Sequence, residues 1–365
     1  MNGNDIANKL TQDLIKLGFV VHRYNSHSTS SIYLKLDYGL SCGIRIADHE
    51  GRKKYHYRFN VIKDYKGNIS INDYSEYKMT SVEDLVCLSK LTRNGTFFND
   101  KTIKVTRDID FQADYSYVDK DALAIEDINE NGVIESIKTE VTTGKGFMPL
   151  ATYAGILTSD EGVTISNINI DRTDKDYLAI ITNLNNNAVI RNINFKNITI
   201  KGRKNVGSIV SSDYGIIENV NLTDINVSGT DSYVGGLCSS AENSITRFEN
   251  VNMNNIEVRG VGYVGGLFGS GSGYNSTNIS INGLTVTGTS SYVGGIAGYI
   301  RNSATMTWTN IENATITNTS DATGGIAGYT DQFTATAINL KNVKSRMLYG
   351  DWGLGIGDWG LGIGD

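Results

Sequence analysis

The side chains best suited to chemistry lie near the amino terminus. His27 sits in a loop rich in Ser and Thr, and an imidazole titrates near neutral pH, so it could act as a general base. A basic and aromatic segment follows, a pattern that holds phosphates and stacks bases. Its members are Arg52, Lys53, Lys54, Tyr55, Tyr57 and Arg58. The alternative interpretation is a hydrogen-bonded turn histidine beside a solvated edge strand.

A second chemistry, glycoside cleavage, needs two carboxylates on neighbouring turns of the fold. Candidates are Asp171, Asp174, Asp176 and Asp224, in numbers that a solvated surface would also show. All four histidines precede residue 57, so proton transfer in the later part would need a carboxylate with a raised pKa or a lysine with a lowered one. The later part of the chain is therefore predicted to bind rather than to catalyse.

The three cysteines lie far apart, at Cys42, Cys87 and Cys238, without CxxC spacing. They predict neither a disulfide framework nor a metal site, and we expect small buried side chains, no metal and no cofactor. The amino terminus lacks a signal-peptide pattern, and no run of about 18 apolar residues predicts a membrane span. We therefore expect a chain made in the cytoplasm that stays there, or is released by lysis or in a virion.

Charge divides the chain into two parts. Residues 1–80 hold 12 basic and 8 acidic residues, whereas the remainder holds 21 and 31. Residues 5–17 have the apolar periodicity of an amphipathic helix. Four alternating segments follow, FVVHRY, SIYLKLDY, CGIRIAD and KYHYRFNVI. The pattern predicts a small basic α+β domain over residues 1–75, in the order α-β-β-β-β.

One family resemblance concerns this basic part. LIKLGFVVHRYNSHSTSSIYLKL and IRIADHEGR resemble the core of HicA-type mRNA-interferase toxins, whose fold is similar to a double-stranded RNA-binding domain. The resemblance aligns Asn25, Ser26 and His27 with the family's G-S-H, which carries the catalytic histidine, and Asp48–Gly51 with its D-H-x-G turn. KYHYRFNVI replaces the family's second helix. The resemblance implies an RNA or DNA partner, with part of the toxin surface removed.

A repeat of about 29 residues, within the range typical of solenoids, organises the rest of the chain. NVGSIVSS, YVGGLCSS, YVGGLFGS, YVGGIAGY and ATGGIAGY begin successive units, whose first glycines are Gly207, Gly235, Gly265, Gly294 and Gly324. Each unit continues with alternating apolar and polar residues, the period of a strand. One unit cannot bury its apolar side alone, so copies must stack. The predicted fold is mainly β, a right-handed parallel β-helix over residues 150–345.

Two residue types recur at fixed places in these units and are predicted to be structural. The glycine pairs permit turns or close backbone approach. Asparagines at equivalent places predict an internal ladder of amide hydrogen bonds, and the alternative is that they are turn residues. These asparagines are Asn192, Asn219, Asn250, Asn278 and Asn310.

A second family resemblance covers roughly residues 80–345. YVGGLFGSGSG and YVGGIAGYIRN resemble the GLUG motif of bacterial surface β-helix proteins. SVEDLVCLSKLTRNGTFFNDKTIKVTRDIDF resembles the capping helix and first strand of those proteins, so residues 80–149 are assigned to the cap and first strands. In the next segment, Thr158–Asp160 replaces the family's FDG. The positions that fit are Phe147, Pro149, Gly155 and Thr164. The resemblance implies a surface or adhesive stalk with a binding face.

The chain ends in the heptapeptide GDWGLGI, written twice within residues 346–365. Trp352 and Trp359 alternate with glycines, so an extended chain would have one apolar face and one bare face. We expect a docking tail that covers the last coil of the β-helix or binds a protein partner.

Three functions remain open from the sequence. The first is a non-catalytic binding or structural β-helix, a phage virion component or surface adhesin with a protein or glycan ligand on its face. The second is an intracellular nucleic-acid-directed protein, such as a toxin, a regulator or a phage counter-defence factor, acting through the basic domain. The third is a glycan-degrading β-helix.

Overall fold

The computed structural model describes most of the repeat region and parts of what precedes it. The described residues are 3–16, 21–25, 32–36, 42–48, 57–63, 75–112, 145–160, 162–320 and 322–347. None of the helices within these ranges is long and apolar enough to cross a membrane.

The amino-terminal part contains one helix and an antiparallel sheet in the order β1-β2-β3-β4. Ile6, Leu10 and Leu14 of the helix pack near buried Ile32 and Leu34, as its apolar periodicity requires. The elements are α1 (Gly3–Lys16), β1 (Val21–Asn25), β2 (Ile32–Leu36), β3 (Cys42–Asp48) and β4 (Tyr57–Lys63). That they form an independent domain stays a prediction.

A second helix begins the repeat region. Ser81 accepts a hydrogen bond from the Asp84 amide, and the Asp84 carboxylate accepts one from the Thr80 amide at 2.8 Å, so the first turn of α2 is capped. Leu85 and Leu88 of α2 are buried in the core that the strands share. The elements here are β5 (Glu76–Met79), α2 (Val82–Arg93), β6 (Thr102–Val105) and β7 (Ile109–Asp110).

The remaining strands repeat with the period of the sequence. They are β8 (Leu150–Tyr153), β9 (Ile156–Thr158), β10 (Thr164–Ser166), β11 (Asn169–Asp171), β12 (Ile181–Leu184), β13 (Val189–Gly202), β14 (Val210–Asp213), β15 (Ile216–Gly229), β16 (Val234–Gly235), β17 (Cys238–Glu242), β18 (Arg247–Arg259), β19 (Val264–Gly265), β20 (Phe268–Ser272), β21 (Asn275–Gly288), β22 (Val293–Gly294), β23 (Ala297–Arg301), β24 (Ala304–Asn318), β25 (Thr323–Gly324), β26 (Ala327–Thr330) and β27 (Phe333–Met347).

These strands stack into a mainly β, parallel β-solenoid of about eight turns. Its described strands form sheets of 12, 7 and 4 strands. Equivalent residues of successive units lie side by side, as Val220, Val251 and Ile279 do. All three are at most 1% exposed, so the apolar alternation of each strand builds one continuous core.

The long strands β13, β15, β18, β21, β24 and β27 carry interruptions at matching places. Asn219 (φ 53°) and Asp224 (φ 58°) of β15 have left-handed backbone and are skipped in the pairing with β18. Asn and Asp enter this region more readily than other residues with a side chain, which explains why Asn recurs at these skipped positions.

The recurrent glycines have a different cause, which is close contact between coils. A Cβ on Gly265 would lie 2.2 Å from the Phe268 carbonyl oxygen and 2.6 Å from the Cα of Ala297. Gly294 would meet Ala297 and Ala327 in the same way. The predicted close approach of backbones therefore accounts for these glycines.

Candidate ligand-binding face

Several residues singled out from the sequence lie outside the described ranges. They are His27, Arg52, Lys53, Lys54, Tyr55, Trp352 and Trp359. For Tyr57 and Arg58 the structure gives only the register in β4, opposite Asp48 and Ala47. A nucleic-acid surface around these residues therefore stays a prediction.

The asparagine ladder lies on the outside of the solenoid rather than in its core. Asn250 Nδ2 donates to Asn219 Oδ1 at 2.8 Å, and Asn278 Nδ2 donates to Asn250 Oδ1 at 2.7 Å. Asn192 instead donates to the Ser159 carbonyl oxygen at 3.4 Å. The amides point outward because the strand residues next to each asparagine are the ones whose side chains fill the core. The prediction of an internal ladder is therefore corrected to an external one.

Asn310 belongs to a different column from the other four. It pairs with Ser280 and Asn339, and Asn339 Nδ2 donates to its Oδ1 at 2.8 Å. The column of Asn278 continues instead through Trp308 and Ala337, which are the next skipped residues with positive φ. The prediction that Asn310 belongs to this column is therefore wrong. The residue of β24 in this column is Trp308, which stands where an asparagine was expected.

We expect Asn250→Ala to lower the free energy of unfolding by about 1–3 kcal/mol, since it loses two ladder hydrogen bonds and places alanine in left-handed backbone. Asn250→Gly is the matched control, because glycine tolerates the backbone but also loses the bonds. Urea unfolding should rank the wild type above Gly and Gly above Ala. Equal stability of all three would contradict the ladder's contribution.

Trp308 is the most unusual residue on this face. Its side chain is 64% exposed, and its backbone φ of 52° is a conformation that bulky residues rarely adopt. Such a conformation costs about 1–3 kcal/mol and clusters at functional sites. Trp308 therefore marks a candidate binding position that our sequence reasoning missed, although a tryptophan in an asparagine column was a readable signal.

A shallow groove of about 360 Å³ lies beside Trp308. Asn278, Ser280, Asn310 and Asn339 are among its lining residues, and none of the lining residues is charged. The Asn278 Nδ2 group is used by Asn250, whereas no described residue donates to Asn278 Oδ1 on the Trp308 side. The groove therefore combines one aromatic face with neutral hydrogen-bonding groups.

The aspartates that could have formed a glycosidase pair are engaged elsewhere. Asp176 lies 2.7 Å from Arg203, and the resulting hydrogen bond lowers the pKa of its carboxyl. The pKa of Asp174 is lowered by the hydrogen bond with Lys175. Asp171 lies 2.8 Å from Lys201, and Asp224 accepts from Asn255. These contacts favour the ionised state in Asp174 and Asp176, which is the wrong state for a general acid.

Two carboxyls have raised pKa values but lack the setting of a catalytic pair. Burial raises the pKa of Asp213 to about 7, and its side chain is fully buried. Burial also raises the pKa of Glu242, against the opposing effect of Arg301. Glu242 pairs with Ser272, and Arg301 lies one strand further along the sheet, so neither residue is a second carboxyl. No group of metal-binding side chains occurs among the described residues.

A row of tyrosines forms a second outer feature that the sequence did not reveal. The rings of Tyr233 and Tyr263 stack at 4.7 Å with planes 6° apart, and Tyr299 stacks on Tyr329 at 5.2 Å. Tyr292 lies 5.1 Å from Tyr329. These rings cover one another's faces, so the row braces successive coils, whereas Trp308 leaves its ring open.

Comparisons with known proteins place the chain only coarsely. No protein-family profile matches it. Halomucin from Haloquadratum walsbyi is 33% identical over 124 residues, which are 33% of this chain and 1% of halomucin. A candidate immunoglobulin A1 protease from Bacteroides ovatus, with a solved structure, is 17% identical with a TM-score of 0.45, over 74% of this chain and 78% of that one. The GLUG and HicA assignments remain resemblances of motif.

Proposed function

We propose that this chain is a non-catalytic, adhesin-like binding protein whose solenoid binds a neutral glycan in the groove beside Trp308. The observation that carries the proposal is the 64% exposed Trp308 ring, held in unfavourable left-handed backbone. The other positions of this column are four asparagines, Asn192 to Asn278, and Ala337, so only Trp308 places a large side chain there. Its placement is therefore assigned to ligand binding.

The lining of the groove favours a sugar over a protein. A pyranose has one apolar C–H face and a rim of hydroxyls, which match a single exposed ring and a set of amide and hydroxyl groups. The cores of protein interfaces instead bury several apolar and aromatic anchors. Since no charged residue lines the groove, an uncharged sugar fits better than an anionic one.

The proposal also includes the finer assignments made from the sequence. These are a right-handed winding, which parallel crossovers almost always have, a separable domain at residues 1–75, and a GLUG-type surface role for residues 80–345. A virion role and nucleic-acid binding by the basic segment are supported by no feature of the described residues, and they stay predictions.

We expect Trp308→Ala to weaken glycan binding at least about tenfold, because buried tryptophans at binding sites commonly contribute about 2 kcal/mol or more. The experiment is a glycan array with the full chain, followed by calorimetry on the best neutral ligand. Tyr329→Ala is the matched control, since it removes another exposed aromatic ring, 44% exposed, outside the groove. Its affinity should equal that of the wild type.

Three outcomes would overturn the proposal. One is that no neutral glycan binds. Another is that Trp308→Ala binds the glycan as tightly as the wild type does. The third is capture of a protein partner that is lost in Trp308→Ala, without any glycan binding, which would assign the groove to a protein ligand.

A further inference from the structure

Two tyrosines of the outer row are direct partners on neighbouring strands. Tyr299 of β23 pairs with Tyr329 of β26 in parallel register, and their rings stack at 5.2 Å with planes 16° apart. Earlier coils have serine in the same column, at Ser240 and Ser270 for example. Along the described coils this column therefore changes from small polar side chains to two stacked phenols.

Both phenols are accessible from solvent and held near each other. Tyr329 is 44% exposed, and Tyr299 is half-buried. Hydrogen-bonded strands keep the two backbones about 4.8 Å apart. A reaction between two groups held in this way is effectively unimolecular, so it outcompetes the same reaction between separate molecules. The pair is therefore placed for a reaction that joins one ring to the other.

The other close tyrosine pairs of the row are less suited to such a reaction. Tyr233 stacks on Tyr263 at 4.7 Å, but the Lys204 ammonium lies 5.4 Å from the centroid of the Tyr233 ring. A cation over the ring is attracted to its electrons, so it opposes the removal of one of them. Tyr292 lies 5.1 Å from Tyr329, but the two ring planes are tilted by 37°.

We propose that Tyr299 and Tyr329 are an oxidative cross-linking site, at which a peroxide and a haem peroxidase form a dityrosine bond that staples two coils. Each phenol loses one electron and its hydroxyl proton, which gives two tyrosyl radicals. Each unpaired electron is shared with the ring carbons next to the oxygen, in orbitals perpendicular to the ring, and stacked rings direct these orbitals at each other. One carbon–carbon bond forms, and the two displaced ring hydrogens move to the oxygens and restore both phenols. The peroxide accepts the two electrons and two protons and leaves as two water molecules.

The bond would restrain the last coils that the structure describes. Each coil packs only on its neighbours, so a solenoid can open coil by coil from an end. A covalent link between β23 and β26 closes a loop through one repeat, which restricts the unfolded chain more than the folded one. The site is independent of the groove beside Trp308, since neither tyrosine lines that groove.

In the test, the full chain at low concentration is treated with a haem peroxidase and limiting hydrogen peroxide. We expect dityrosine fluorescence, a monomer whose mass falls by two hydrogen atoms, and a cross-linked peptide that joins Tyr299 to Tyr329. Tyr299→Phe keeps the ring but lacks the phenol, so the fluorescence should fall several-fold. Tyr177→Phe is the matched control, because Tyr177 is 52% exposed and has no stacked ring among the described residues. Its cross-link yield should equal that of the wild type.

Two results of this treatment would overturn the proposal. One is an unchanged cross-link yield in Tyr299→Phe, or a cross-link that peptide mapping assigns mainly to other tyrosines. The other is the formation of covalent dimers without the internal peptide, because the reactive phenols would then meet between molecules.

Urea unfolding tests whether the bond acts as a staple. The cross-linked wild-type monomer should unfold at a higher urea concentration than the untreated protein, because the link holds neighbouring coils together. Tyr299→Phe treated with peroxidase and peroxide in the same way should show no such shift, which controls for other oxidation. Equal midpoints for the cross-linked and untreated wild type would overturn the stapling role.

Discussion

Gly265→Ala is expected to lower the free energy of unfolding by about 3 kcal/mol or more. The added Cβ would lie 2.2 Å from the carbonyl oxygen of Phe268 and 2.6 Å from the Cα of Ala297 on the next coil. Both contacts are with backbone, so no side chain can move aside to relieve them. Two neighbouring coils would have to separate, and because each coil packs only on its neighbours, the damage would divide the solenoid.

The matched control is Gly325→Ala, a substitution of the same type in the same repeat motif. Among the described residues its Cβ would meet Leu340 Cδ1 and Val343 Cγ1, both at 3.6 Å, which is ordinary contact. Urea unfolding followed by circular dichroism should show a large loss for Gly265→Ala and little change for Gly325→Ala. Similar losses in both would contradict the proposed cause, the close approach of coils at Gly265.

Asp213→Asn is expected to stabilise the protein above pH 7 and to leave it unchanged below about pH 4. Asp213 is fully buried between Leu184 and Ala241, and its Oδ2 atom lacks a hydrogen-bond partner in the described structure. Burial raises its pKa from 3.8 to about 7, although the Gly215 amide, 2.8 Å from Oδ1, opposes the shift. The carboxyl is therefore mostly protonated in the folded state below pH 7 and ionises as the pH rises through about 7.

The sign of the effect follows from proton binding. Between pH 3.8 and about 7 the folded state holds the Asp213 proton and the unfolded state does not, so stability falls as pH rises and then levels off. The difference between the two pKa values corresponds to roughly 4 kcal/mol at most. Asparagine has no such titration, so its advantage should grow over this pH window.

Two further variants separate Asp213 from its neighbours. Asp213→Leu should also abolish this pH dependence, while losing the acceptor for the Gly215 amide. The pKa of Glu242 is also raised, so Glu242→Gln measures how much this residue contributes to the dependence of stability on pH. Burial, together with Asp213 and Glu242, raises the pKa of the nearby Cys238 thiol well above its ordinary value, so that thiol stays neutral throughout. Unfolding curves from pH 4 to 8 with unchanged slope in Asp213→Asn would contradict the assignment.

The fold was readable from the sequence because several local signals agree. Three signals indicate stacked parallel coils. They are the regular repeat spacing, the alternation of apolar residues, and the glycines at the same position of each unit. The structure places Gly235, Gly265, Gly294 and Gly324 in one column, in agreement with that spacing. The role of the recurrent glycines was also predictable, since the sequence pattern indicated either turns or close approach of backbones.

The candidate site was not readable in the same way. A constant spacing does not show which residues of a strand are skipped in pairing, so the asparagine column was misassigned at Asn310 and Trp308 was overlooked. The tyrosine row depends on ring geometry between coils, which spacing does not encode. Asp213 occupies a column with Leu184 and Ala241, and its burial becomes visible only when the register is known.

The most direct test of binding without catalysis incubates the full chain with the neutral polysaccharide selected on the glycan array. Retention of the polysaccharide on immobilised protein and its chain length are measured together, with Trp308→Ala in parallel. We predict retention by the wild type, loss of retention in Trp308→Ala, and unchanged chain length without new reducing ends. Shortening of the polysaccharide by the wild type would contradict the account and would identify a glycan-degrading solenoid.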